Sequence, residues 1–375
     1  MGIRLLPAFA ASLALVLTAP FIGQLRDLLK RAFPDRFVLI IGAGITLLLA
    51  ASWLMGVARI RDRRRARLAA LACSVGLLAF YVARFRTGNA EVDAVQLFHF
   101  LEYGLVTSLF YLAVRPAADP SIVVASLLYG LLTGILEEWM QWFVPLRVGE
   151  VGDVFLNAYA VICALFFSFA LWPPARFAWR LQATSRAPLL RFAAAVGIVF
   201  AGFFHVAHLG YEIADEEIGR FRSYFPADAL ARHQADRARS WRENPPTSLP
   251  VLAKEDYYLT EAAWHVQRRN TAYTARDFPE AWLENRILER YYDPFLDLHS
   301  FQSGERHRWA PAQRAEVAAG REPALDARYV SDVGAQRIYL RPTKTELWGA
   351  TVLLAGALLA LARPRAGSAP APPDV

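Results

Sequence analysis

The sequence predicts an all-α integral membrane protein with about eight transmembrane helices and an external, mostly helical domain inserted before the last span. Three observations predict it. The 375 residues are 55% hydrophobic, with a mean hydropathy of +0.25. Eight uncharged or nearly uncharged apolar runs approach 20 residues, the length a helix needs to cross a hydrocarbon core of about 30 Å. Between the seventh run and the eighth lies a polar stretch at 211–345, long enough to form a small domain.

The expected spans are 5–23, 37–57, 68–84, 95–114, 121–141, 153–172, 192–210 and 346–362. Residues 1–36 make the first span and a basic amphipathic segment, "QLRDLLKRAF". The opening resembles a signal peptide but has no A-x-A site, so an uncleaved span is expected. Residues 37–175 form a transmembrane core, and 176–210 a loop and the seventh span. Residues 211–345 form the extracytoplasmic domain, and 346–375 the last span with the tail "RPRAGSAPAPPDV", disordered by composition.

Charge sets the orientation. The net charge is +7, and much of the excess is Arg in short loops, the usual signature of cytoplasmic loops. "ARIRDRRRAR", "PPARFAWRLQATSRAPLLR" and the closing "RPR" are the most basic, and all three fall on one side of an eight-span chain. This predicts a multi-pass protein with both termini cytoplasmic and 211–345 outside. The basic segment after the first span then falls outside, where an interfacial helix would accommodate it. No nucleic-acid-binding motif is present. Cys73 and Cys163 both sit inside apolar runs, which argues against a disulfide framework and excludes a CxxC site.

In the polar stretch, "PADALARHQADRARSWRE", "EDYYLTEAAWHVQRRNTAY" and "PEAWLENRILERYY" carry apolar residues at spacings of three and four and read as amphipathic helices. "ARYVSDVGAQRIYLRP" reads as two short strands around a Gly-containing turn. Trp264, His265, Arg268 and Arg269 fall within two turns and read as a solvated helix face, with a lipid headgroup or glycan as the sharper alternative.

Polarity gathers at one depth of the membrane core. His99, Glu102 and Tyr103 share a face of the fourth span. Glu138 and Gln141 share one near the end of the fifth. Arg147 lies in the loop, and Asp153 and Asn157 open the sixth. Charged groups at membrane depth cost several kcal/mol unless paired or solvated, so these faces should turn toward each other around a water-accessible cavity. Glu138 and His99 are the candidate catalytic groups, each suited to proton exchange. Glu102, Tyr103, Gln141, Arg147, Asp153 and Asn157 are the candidate ligand-binding residues, with Arg147 able to clamp an anion. A structural polar network is the plain alternative. Glu137, turned about 100° from Glu138, reads as solvated or facing headgroups. His205 and His208 read as interfacial residues outside the site. The residue types would suit a metal, but no compact motif such as HExxH supports one, and neither metal nor cofactor is expected.

"HFLEY" followed by "EEWMQWFVPLRVGEVGDVFLN" resembles the VanZ-like membrane proteins. His99, Tyr103, Glu138, Gln141, Pro145, Arg147, Asp153 and Asn157 fit that family's pattern one by one. Gln96 and Ala160 depart from it, where a basic residue and a glycine are common. The resemblance covers roughly 37–175 and implies a multi-pass protein of the bacterial inner membrane, of a group associated with glycopeptide-antibiotic resistance. It implies no reaction. Taken with the polar cluster and the external domain, three readings stand: binding of an amphiphilic envelope lipid or lipophilic antibiotic, an enzyme acting on a polyprenyl-phosphate-linked substrate, or a scaffold recruiting partners through its external domain. The expected partners are the bilayer and an anionic lipid such as a polyprenyl phosphate.

Overall fold

The computed structural model describes residues 2–144, 149–246, 257–300, 304, 306–320 and 326–363. Eight of its helices are long and apolar enough to cross a membrane. The first seven are α1 (Gly2–Ala32), α2 (Phe37–Arg59), α3 (Arg64–Arg84), α4 (Ala90–Val114), α5 (Ser121–Gln141), α6 (Val151–Leu171) and α7 (Ala183–His208). The chain divides into two compact units. One comprises Met1–Met140, Glu150–Gly202 and Trp348–Val375; the other comprises Gln141–Gly149 and Phe203–Leu347.

The first unit is a helical bundle, and its register can be read from paired side chains. Phe110 of α4 stacks on Tyr129 of α5 at 4.0 Å, and Tyr103 reaches Glu137 further along. The pairs advance in opposite directions along the chain, so α5 runs antiparallel to α4. The Ser108 and Ser168 hydroxyls meet at 2.9 Å, each about five turns into its helix, so α4 and α6 run the same way. Tyr159 of α6 donates to Leu77 O of α3 at 2.7 Å. Ser12 of α1 donates to the Tyr129 hydroxyl and accepts from Thr133.

Two glycines let α5 approach its neighbours. A Cβ on Gly130 would stand 2.3 Å from Val161 Cγ2, and one on Gly134 would stand 3.0 Å from Asn157 Nδ2. Small residues four apart are a recurrent device for close helix packing in membranes, where no hydrophobic drive separates protein from lipid.

The ends of the helices are tied by polar contacts. Asn89 caps α4, its side chain accepting from the Glu91 and Val92 amides, which satisfies donors that a helix start leaves open. Arg67 is buried and donates to the carbonyls of Ala170 and Leu171 at 2.6 and 2.9 Å, and it pairs with Asp62. Arg63 donates to the carbonyls of Pro174 and Ala175. The most basic loop therefore closes the C-terminal end of α6, where carbonyls lack helical partners.

One expectation fails at α1. The segment after the first span is no separate interfacial helix but the continuation of α1, which runs 31 residues without a break. At 1.5 Å per residue it is about 46 Å long, well beyond the hydrocarbon thickness. Its basic end pairs with the start of α4 through Lys30 and Glu91 at 2.6 Å. Good helix formers and an ion pair at the tip sustain the helix past the apolar run.

The second unit opens with an antiparallel hairpin, β1 (Tyr211–Asp215) and β2 (Gly219–Ser223). Asp215 organises its turn by accepting from the Glu217 and Ile218 amides. Helices α8 (Ala227–Glu243), α9 (Tyr257–Thr274) and α10 (Phe278–Tyr291) follow, with α9 and α10 side by side. Short helices α11 (Asp293–Leu296) and α12 (Pro311–Ala319) come next, and α13 (Lys344–Leu361) ends the described chain. Residues 327–342 do not form the expected pair of strands. Val330 bridges Arg220 and Tyr339 bridges Leu209, both in parallel. The segment thus finds its backbone partners elsewhere in the unit, not across its own turn.

Candidate functional site

The polar cluster lies between α4, α5 and α6. Tyr103, Glu138 and Asn157 are fully buried, and Glu137 is 7% exposed. The Tyr103 hydroxyl donates to Glu137 Oε2 at 2.6 Å. Glu138 Oε2 accepts from the Glu150 amide at 2.9 Å, so the carboxylate holds the backbone just before α6. Glu137 also lies within electrostatic reach of His99 and Glu102. The structure thus brings His99, Glu102, Tyr103, Glu138 and Asn157 together from segments far apart in sequence.

Two of these groups are incompletely satisfied. His99 sits beside Asn157. Yet His99 Nδ1 and both amide atoms of Asn157 make no hydrogen bond of good geometry among the described residues. A buried polar atom without a partner costs about 1–3 kcal/mol, and such atoms are rare enough to need an explanation.

Glu137 corrects the sequence reading. It was expected on the solvated side of α5, but it is buried and takes the Tyr103 hydrogen bond. Helical phase does turn Glu137 about 100° from Glu138, but that angle does not carry it out of the packed face. Tightly packed helices bury a broad face, and a flexible Glu side chain reaches round to it. Gly130 and Gly134 were also missed, although "YGLLTGILEE" displays their spacing openly.

The remaining candidates are placed as follows. Asp153 lies in the first turn of α6, within electrostatic reach of Tyr81 on α3. Tyr81 in turn donates to Gln96 of α4 at 3.1 Å. Gln141 ends α5, is buried, and groups with the second unit. Pro145 and Arg147 lie outside the described residues. His208 belongs to the second unit, where its Nδ1 lies 2.9 Å from Arg337 O and its ring packs against Tyr339. Among the described residues no three His, Cys, Asp or Glu side chains converge on a metal position.

A second buried network occupies the other unit, and it overturns the solvated-face reading of α9. His265 is fully buried and pairs through Nδ1 with Glu284 Oε2 at 2.6 Å. Glu284 also accepts from Tyr329 and Ser331, each at 2.6 Å. One turn away, Glu261 accepts from Ser223, Tyr292 and the Tyr224 amide. Burial pushes the Glu261 carboxyl up to about 7 against those three bonds. Arg269 is 2% exposed. It donates to Asn285 and the His307 carbonyl and lies over Trp309. Arg268 pairs with Glu280 and Asp332. The face is interior because β2, α10 and the 326–339 segment cover it. None of those contacts is local in sequence.

No protein-family model matches the chain, and no curated protein or solved structure shows significant similarity to it.

Proposed function

We propose that the chain is a VanZ-like membrane protein that binds the polar head of an amphiphilic cell-envelope molecule, an envelope lipid or a lipophilic antibiotic, in the cluster between α4, α5 and α6. The observation that carries the reading is the set of buried polar atoms on His99 and Asn157 that, among the described residues, make no hydrogen bond of good geometry beside buried carboxylates. Interhelical hydrogen bonds contribute only about 0.6–2 kcal/mol, so a network built for stability alone would gain little by leaving three polar atoms unmatched. A ligand with donors and acceptors would satisfy them. The embedded position requires that ligand to be amphiphilic. The Arg and Lys balance of the loops supports a cluster toward the outer leaflet and a second unit outside the cell.

The juxtaposition of His99 with Glu137 favours a second reading. A ring nitrogen with no well-formed hydrogen bond among the described residues, near a carboxylate able to stabilise its cation, suits a general base. In this reading the bound amphiphile is a substrate and His99 or Glu138 removes a proton from it.

Native mass spectrometry of the detergent-purified chain tests the binding reading, with Asn157→Leu, Glu138→Gln and Arg147→Ala alongside. The wild type should carry an amphiphile that Asn157→Leu loses while staying folded. Bare wild-type protein, or equal retention in all variants, would refute it. Conversion of the retained molecule by wild type but not by Glu138→Gln or His99→Phe would select the enzyme. A cysteine at Val148 should react with an impermeant maleimide from outside; labelling only after lysis would sink the orientation.

A further inference from the structure

On the side of α4 away from the polar cluster, α2 and α3 leave a groove between them. Leu49 and Trp53 of α2 face Leu78, Ala79 and Ala83 of α3 across a space of about 630 Å³. The groove shares Leu49, Trp53 and Leu78 with a second cavity of about 330 Å³ that reaches inward to Gly104 and Ala160. Its α3 wall, from Val75 to Arg86, spans about 16 Å at helical rise. That is the depth of one leaflet of a hydrocarbon core about 30 Å thick.

One end of the groove is cationic. Arg86 lines it and lies two residues beyond the end of α3, where headgroups would stand. Arg86 is exposed and makes no hydrogen bond or ion pair among the described residues. The nearby Asp93 is held by the Thr87 amide and hydroxyl at 2.9 and 2.8 Å and lies within electrostatic reach of Arg86 without closing an ion pair, so it offsets the charge only in part. The remaining lining is almost wholly apolar, with Thr46 its one uncharged polar side chain. Water has little to bond with there, and an empty void would forfeit contacts on every wall.

We propose that this groove is a specific site for one bilayer phospholipid with an anionic headgroup, its acyl chain lying along α2 and α3 and its phosphate against Arg86. The charge at one end and the apolar walls together fit an anionic lipid better than a neutral one. A basic side chain at the membrane surface contributes about 1 kcal/mol to anionic-lipid affinity, which is roughly fivefold. The proposal is independent of the ligand in the polar cluster, because it rests on the opposite face of α4 and on different residues.

The test uses the full-length chain, delipidated in mild detergent and examined by native mass spectrometry after addition of palmitoyl-oleoyl phosphatidylglycerol or the phosphatidylcholine with the same chains. One phosphatidylglycerol should be retained at about five times the occupancy of phosphatidylcholine. Arg86→Gln should bring the two to equal occupancy. Ala79→Phe, at an exposed position on the groove wall, should lower retention of both. Equal retention of the two lipids by wild type, or unchanged retention in either variant, would overturn the site. Preferential retention of an added polyprenyl phosphate would overturn the assignment to a bilayer phospholipid. Neither substitution touches His99, Glu138 or Asn157, so failure here is distinct from failure of the cluster reading.

Discussion

Gly130→Ala is the sharpest test of the bundle. The new methyl would stand 2.3 Å from Val161 Cγ2, 3.0 Å from Cγ1 and 3.2 Å from Cβ. Carbon atoms in good contact sit about 3.5–4.0 Å apart, so one helix must retreat by about 1.2 Å or Val161 must turn. Val161 is fully buried, and a β-branched side chain in a helix has essentially one good rotamer. Turning is therefore blocked, and the strain falls on the α5–α6 contact. Overpacking of this kind costs about 1–3 kcal/mol. The assay is thermal unfolding of the purified chain, read by size-exclusion chromatography after stepwise heating. Gly130→Ala should lower the midpoint. Val161→Ala should do so mildly by leaving a small cavity. The double substitution should be more stable than the sum of the two losses, because the pair is in contact. A Gly130→Ala chain as stable as wild type, or a strictly additive double variant, would refute the close approach.

Three more outcomes follow from the buried polar groups. His265→Leu should destabilise the second unit by about 3–5 kcal/mol, because it strands the Glu284 carboxylate; His265→Leu with Glu284→Met should recover much of that loss in the same thermal assay, and a double variant no better than the single would contradict the pairing. His307 is pushed down to about 4 by burial and by the charges of Arg269 and His299. An unfolded histidine takes up its proton near 6.5, while the folded one resists until about 4. Stability should therefore fall as the pH drops through that window, and His307→Gln should flatten the difference in melting temperature between pH 7 and pH 4.5; an undiminished difference would remove His307 as a cause. Asn157→Leu should raise thermal stability by about 1 kcal/mol, since it deletes unmatched buried polarity, while abolishing retention of the amphiphile. Loss of both would return Asn157 to a purely structural role.

The spans were the most legible part of the chain. Each apolar run of about 20 residues forms one helix, the form in which a membrane-spanning segment satisfies its own backbone. Boundaries failed where apolarity ceased to be the deciding force. In α1 the helix continues through "QLRDLLKRA" on propensity and a distant ion pair with Glu91, which no local pattern announces. The three long helices of the second unit were legible from their periodicity. The β1–β2 hairpin was passed over, although "YEIADEEIGRFRS" alternates. The convergence of His99, Glu102, Tyr103, Glu138 and Asn157 is legible because polarity inside an apolar run is conspicuous. The place of Glu137 is not, because side-chain reach and the breadth of the packed face are tertiary properties. His265 and Arg269 were misread for the same reason: charged residues on an amphipathic helix look solvated until the elements that cover them are known.

The proximity of Gly130, Gly134, Glu137 and Glu138 within two turns of α5 has a physical logic. An acid in the membrane is tolerable only when donors reach it without intervening lipid. The glycines remove the side chains that would hold α5 away from α4 and α6, and the donors then arrive: the Tyr103 hydroxyl on Glu137 and the Glu150 amide on Glu138. The two glycines divide the work. Gly130 meets only the hydrocarbon of Val161, so its close approach is a matter of packing. Gly134 meets Asn157 and, at 3.2 Å, the hydroxyl of Tyr103, which are groups of the site itself. Added bulk there would press on the unmatched amide and on the oxygen that bonds Glu137. The bundle and the site are therefore one construction at this level of α5: the contact that stabilises the helix is also the contact that sets the geometry of its carboxylates.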